Sequence, residues 1–214
     1  METAMTDSAS PFSTAERSPP KGQFYGISPD IRGGGDGHGL ELANEDALAR
    51  PPNLTVDPPT GDPNQYPEKP HLVYSPTRGD MPRDLEGWAG LWIVSERLKQ
   101  VFEATDHEGF AFTACDFTLA DGSPGPQYYL CNVVRTLDAL NEEESEVRIK
   151  HEPSGRKIYS FRGGARLAFR AEVIGLSHVF RTPYSRDVFC DALLRDACKA
   201  AGLTGLWFVD AADY

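Results

Sequence analysis

Val188-Phe189-Cys190-Asp191-Ala192-Leu193-Leu194-Arg195-Asp196-Ala197-Cys198-Lys199-Ala200-Ala201-Gly202-Leu203-Thr204-Gly205-Leu206-Trp207-Phe208-Val209 decides the fold. It opens on a short apolar run with the character of a strand. Asp191 then stands where its carboxylate accepts from the free amides of a helix's first turn. Leu193, Leu194, Ala197, Cys198 and Ala201 recur at helical spacing and form one apolar stripe. Gly202 suits the left-handed residue that follows a helix end, and Gly205 to Val209 returns as a strand. Phe189, Leu193 and Ala197 also fit a helix begun at Ser185, so the entry boundary stays open.

The same pattern occurs once before, near Trp92–Thr113. Sliding the chain by 96 residues places Ser95 on Asp191, Leu98 on Leu194, Ala104 on Ala200, Gly109 on Gly205 and Phe112 on Phe208. Cap, stripe and exit strand coincide without a gap. The chain therefore reads as a weak internal repeat of strand, capped helix and strand. That repeat describes how a core is built and carries no chemistry.

Outward from the two units, the 214 residues fit one domain with a tail. Residues 1–20 are rich in Ser, Thr, Ala and Pro and bury too little to offset their ordering entropy, which predicts a disordered N-terminal tail. Residues 21–214 are expected to form a single α+β domain: a mixed or antiparallel multi-stranded sheet with two main helices. Gln23 to Ile27 reads as a strand, as does His71 to Tyr74. Asn44 is placed to cap a brief helix through Leu48. Gln127 to Val134, apolar almost throughout, suits a strand buried on both faces. Val147–Lys150 and Lys157–Phe161 alternate around Glu152-Pro153-Ser154-Gly155, a type I turn, and make a hairpin. Leu167–Phe169 and His178–Phe180 read as two more short strands. Residues 51–70 hold seven of the 17 prolines. They form an extended surface loop whose length leans towards a binding or linking role.

Composition narrows the function. A formal charge of −11 opposes nucleic acid and anionic membranes, since phosphate contacts need clustered Lys and Arg. It is compatible with a basic protein partner, although plain solubility is the commoner cause of an acidic surface. Cys115, Cys131, Cys190 and Cys198 show no C-x-x-C spacing and lie in apolar segments, which predicts reduced, buried thiols. No signal-peptide core is present, and no apolar stretch approaches the ~20 residues of a membrane span. A cytoplasmic protein is expected.

Catalytic signatures are missing, so no catalytic residue, metal ligand or cofactor site is assigned. His38, His71, His107, His151 and His178 show no zinc-type pairing. The glycine-rich Gly33-Gly34-Gly35-Asp36-Gly37-His38-Gly39 lacks the Lys and Ser/Thr of a phosphate loop and reads as a flexible connection. Gly122-Ser123-Pro124-Gly125 lacks the glycine and the leading strand of a nucleophile elbow. Cys131 with His151 or His178 is a conceivable thiolate pair, but a core cysteine is the plainer account.

Three stretches carry a resemblance: Leu91-Trp92-Ile93-Val94-Ser95-Glu96-Arg97-Leu98, Tyr128 to Leu140, and Leu194 to Gly205. They resemble a bacterial family classed among the immunity proteins of polymorphic-toxin systems, first described as a domain of unknown function. The likeness runs from about Lys21 to Asp213. It implies a protein made beside a toxin, with that cognate toxin encoded next door as its partner, blocking it by direct binding and without catalysis. Two other classes stay open: a hydrolase of nucleotides or of a toxin-made modification, and a non-catalytic adaptor. The partner-binding candidates are Glu142, Glu143, Glu144 and Glu146, a run of carboxylates suited to a basic toxin surface. The plainer reading is a solvated acidic turn, in which case the Pro-rich loop is the next place to look.

Overall fold

The structure, a computed structural model, describes residues 19–31, 37–49 and 55–214. Most of the expected tail, Gly33 to Asp36 of the glycine-rich stretch, and Pro51 and Pro52 lie outside the described residues. The first elements are β1 (Phe24–Pro29), β2 (Leu40–Leu42), α1 (Glu45–Leu48) and β3 (His71–Tyr74). The first repeat unit and its neighbours follow as β4 (Leu85–Trp88), β5 (Leu91–Ser95), α2 (Glu96–Asp106), β6 (Phe110–Ala114), β7 (Asp116–Thr118) and β8 (Tyr128–Val133). Then come the hairpin β9 (Arg148–His151) and β10 (Lys157–Ser160), α3 (Ala171–Ile174) and β11 (Val179–Arg181). The second unit closes the chain with β12 (Val188–Asp191), α4 (Ala192–Ala200) and β13 (Leu206–Asp210).

The fold is α+β and its sheets are mostly antiparallel, as expected. The strands are divided among four sheets, however, and do not form one. Two of these sheets repeat a single arrangement: β4-β5-β8-β6 and β11-β12-β1-β13. In each, an edge strand leads into the first strand of the unit, and the helix then carries the chain over one inserted strand to the return strand. Every neighbouring pair is antiparallel. First and return strands are therefore parallel, with the inserted strand between them. The repeat seen in sequence thus extends to the edge strands. Only the inserted strands differ in origin: β8 follows its unit, whereas β1 is supplied from the opposite end of the chain.

Both caps form as expected. Ser95 Oγ accepts from Leu98 N at 3.2 Å and Asp191 Oδ1 from Leu194 N at 3.0 Å. The α4 stripe is narrower than its spacing implied. Leu194 and Cys198 are buried, but Leu193 is 55% exposed and Ala201 is exposed. Arg195 lies over the Tyr25 ring of β1, 4.1 Å from its centroid, so its stem covers apolar surface on the side of α4 that faces β1. The boundary near Ser185 resolves as a strand from Val188, because Val188 and Cys190 face one core cluster and Phe189 another.

One core unites the two units: Val94, Leu98 and Phe102 of the first pack with Val188, Cys190, Leu194 and Cys198 of the second, and α2 packs against α4. On the other face of β5 and β8, Leu91, Ile93, Tyr128 and Leu130 meet Leu40, Leu72 and Phe117 of the three-stranded sheet β2-β3-β7. Alternate residues of β8 therefore enter different clusters, which is why its sequence is apolar on both faces. Each large side chain so buried contributes about 1.5–3 kcal/mol.

Two local expectations need correction. The helix at Glu45–Leu48 forms, but the Asn44 side chain does not cap it. Instead it accepts from His71 N at 2.9 Å and donates to Glu68 Oε1 at 2.8 Å and Lys69 O at 3.0 Å, pinning the end of the Pro-rich loop to β3. Leu167–Phe169 is not a strand. Its amides and carbonyls go singly to Ala211 and Asn141 and to the Ser145 hydroxyl, with one bridge from Phe169 to Leu140.

Candidate functional site

Prolines cannot donate to a ladder, so residues 55–70 are held by side chains. Buried Gln65 donates to Pro58 O at 2.8 Å and accepts from Thr60 N at 2.7 Å. Tyr66 Oη donates to Asp57 O at 2.5 Å and Asn132 Nδ2 to Pro59 O at 2.9 Å. With Val56 and Pro59 buried, the loop becomes a braced strap lying across the end of β8.

Beneath the strap lies a groove of about 930 Å³, within the ordinary range for binding clefts. Its walls are Thr55 to Thr60 of the strap, the Ala89-Gly90 turn between β4 and β5, the end of β8, and Arg181 and Arg186. The turn has φ of +46° at Ala89 and +89° at Gly90, as a tight two-residue hairpin requires. Alanine is held there in the left-handed region at a cost of roughly 1–2 kcal/mol.

Arg181 is half-buried at the base of this groove. Its guanidinium donates to Val133 O at 3.1 Å, Arg186 O at 3.0 Å and Asn132 Oδ1 at 3.3 Å. Burial pulls its pKa down, opposed by Cys131 and Asp187 nearby. Among the described residues it makes no ion pair, and neither does exposed Arg186. Among the described residues of the lining Asp57 is the only carboxylate, and Asp187 acts on Arg181 from beside it. The groove thus sets two arginines together on an acidic protein.

The acidic run is exposed, between β8 and β9, but it is not a free patch. Glu142 pairs with Lys157 and accepts from Tyr159 Oη at 2.5 Å. These bonds, the lysine's first, hold its carboxyl below the usual range. Glu146 pairs with Arg166 at 3.4 Å. Glu143 and Glu144 make no ion pair among the described residues. The adjoining hairpin carries Arg148, Lys150, Arg156 and Lys157, so acid and base alternate along this edge.

The thiols are free and buried. Burial pushes Cys115 and Cys198 up to about 12, and Cys131 and Cys190 higher still. A Cys131 thiol so held stays protonated and is a poor nucleophile. His178 is engaged elsewhere, its Nδ1 lying 2.7 Å from Asp191 Oδ2, and His151 is on the exposed strand β9. No cluster of His, Cys, Asp or Glu able to hold a metal occurs among the described residues. Also among them, no helix is long and apolar enough to cross a membrane.

Sequence reasoning missed Arg181, since a charged residue ending a short apolar strand is commonplace. It found the Pro-rich loop but not what lies under it.

A family model described as "Immunity protein family (Imm11)" matches residues 23–213. No curated protein matches the chain.

Proposed function

Because the chain belongs to the Immunity protein family (Imm11), we propose that it neutralises a cognate bacterial toxin by binding it directly, without chemistry of its own. The toxin would be the product of an adjacent reading frame and would act in the cytoplasm. The observation that carries this reading is the family match, which covers nearly the whole chain. The braced strap and its groove support it. They offer a braced surface that loses little entropy on docking, and among the described residues the four thiols are buried. In the acidic run, Glu143 and Glu144 are the carboxylates free to steer a basic toxin surface, with Glu142 and Glu146 held by their own partners. Rim charges of this kind act on association rate.

Co-expression with the neighbouring gene product tests the reading. The two proteins should co-purify, and protection of cells should track affinity across variants. A variant that binds normally yet fails to protect would point to catalysis, and absence of any protection would leave an adaptor.

A further inference from the structure

We propose that the groove under the Pro-rich strap is a carboxylate-receiving site, which takes an extended loop of the toxin carrying an Asp or Glu beside an apolar residue. The proposal rests on the reading of this chain as a toxin-binding immunity protein.

Charge is the first argument. In a chain of net charge −11, the described lining sets Arg181 and Arg186 against Asp57, with Asp187 acting on Arg181 from beside it. Among the described residues no carboxylate lies within ion-pair distance of the half-buried Arg181 guanidinium, so its desolvated charge is only partly offset, a situation that an incoming anion relieves. Three of the five N–H donors of Arg181 are used on protein acceptors, one on each nitrogen, leaving two for an incoming acceptor. Those bonds to Val133, Arg186 and Asn132 also hold the guanidinium in place before any ligand arrives.

The shape selects among anions. Phosphate sites are commonly built on helix N-termini or glycine-rich runs of amides, and no described residue of this lining is helical. The floor is apolar, made by Val56, Leu91 and Val133, and Val134 at its edge is 40% exposed. An acidic residue flanked by an apolar one matches both features. Because the rest of the surface repels anions, such a loop is favoured in the groove and disfavoured elsewhere, which is a specificity device.

The test measures affinity for the co-purified toxin by calorimetry and, separately, NMR shifts of the arginine Nε–H signals with two probes, N-acetyl-Glu-Leu-amide and inorganic phosphate. Arg186 is exposed and makes no ion pair among the described residues, so its variants should fold. Arg186→Ala should weaken toxin binding about 10-fold and Arg186→Glu about 100-fold, mostly through faster dissociation. Arg181→Lys keeps the charge but loses the guanidinium and should weaken binding about 10-fold. If Arg181→Lys does not fold, the Arg186 pair still decides. The peptide should shift the Arg181 and Arg186 signals of the wild type and leave the Arg181 signal of Arg186→Glu unmoved. Toxin affinity unchanged in Arg186→Glu, or shifts with phosphate and none with the peptide, would overturn the proposal. A wild type that responds to the peptide yet never binds the neighbouring protein would break the immunity reading and leave the groove's carboxylate chemistry standing.

Discussion

The two strand–helix–strand units grip each other reciprocally, but with the chemistry reversed. At one contact the buried Asp84, just before edge strand β4 of the first unit, accepts from Thr204 N at 2.9 Å and Thr204 Oγ1 at 3.1 Å in the helix-end loop of the second. At the other, Asp106 at the end of α2 accepts from His178 N at 2.8 Å and Val179 N at 3.2 Å at edge strand β11, and it pairs with Arg135. The acid sits just before the edge strand in one case and on the helix end in the other. The repeated glycines mark the same contacts. A Cβ on Gly109 would lie 2.4 Å from Val179 Cγ1, and one on Gly205 would lie 2.2 Å from Leu85 O. Shared local pattern therefore produced two similar units, while the interface between them was solved twice with different residues.

The caps differ in the same way. Ser95 is buried, and its hydroxyl donates to Asp84 Oδ1 at 2.7 Å while capping α2. Asp191 is half-buried and shares its cap with His178. A cap inside a network should cost more to remove than a cap at the surface.

The largest expected effect is at the second contact. Asp106→Ala leaves the Arg135 guanidinium and two amides without their acceptor and should lower stability by about 3–5 kcal/mol in urea unfolding. A loss below about 1 kcal/mol would mean the units are not joined there. The pH dependence follows. Burial alone would raise the Asp106 pKa, but the Arg135 bond and the two amides outweigh it and the net shift is downward. A depressed folded pKa contributes stability above the unfolded value near 3.9, and loses it as pH falls through the folded value. The acid limb of the stability curve should therefore be flatter in Asp106→Asn than in the wild type.

Next, Gly205→Ala should cost about 3 kcal/mol or more, because φ is +81° and the clash is with backbone. Gly109→Ala meets side chains only, the Val179 methyl at 2.4 Å and Arg135 and Asp106 at 3.2 Å, and should cost less, about 1–2 kcal/mol. Equal losses would show that the two contacts are mechanically alike.

Smaller again, Ser95→Ala should cost about 2 kcal/mol, from the lost cap and an Asp84 oxygen left short of a donor, and Asp191→Ala about 1 kcal/mol. The reverse order in thermal melts would remove the distinction between networked and surface caps.

The smallest effect on stability belongs to the acidic run, which lies outside both units. Glu143→Lys with Glu144→Lys should leave the melting temperature within error. The pair should slow association with the toxin and flatten its salt dependence. Unchanged kinetics would confine the partner to the groove and its surroundings.

Periodicity and capping are local, and so the sequence alone determined the helices at Ser95 and Asp191, the return strands, the buried strand Tyr128–Val133 (without the exposed Gln127 and Val134 expected at its ends) and the hairpin of β9 and β10. It exposed the Pro-rich loop for the same reason, since proline's missing donor acts within its own residue. It could not show that Glu142 is taken by Lys157 and Tyr159, that Asn44 ties down a loop, or that Leu167–Phe169 would find only scattered partners. Those outcomes depend on what lies opposite in space. The division into sheets was likewise decided by tertiary structure: β1 crosses from the chain's start to lie between β12 and β13, a pairing that hydrophobic pattern permits but does not specify. The groove belongs to the same class. Thr55, Ala89, Asn132 and Arg181 are far apart in sequence, and only the packing of the strap over the sheet's end brings them to one place.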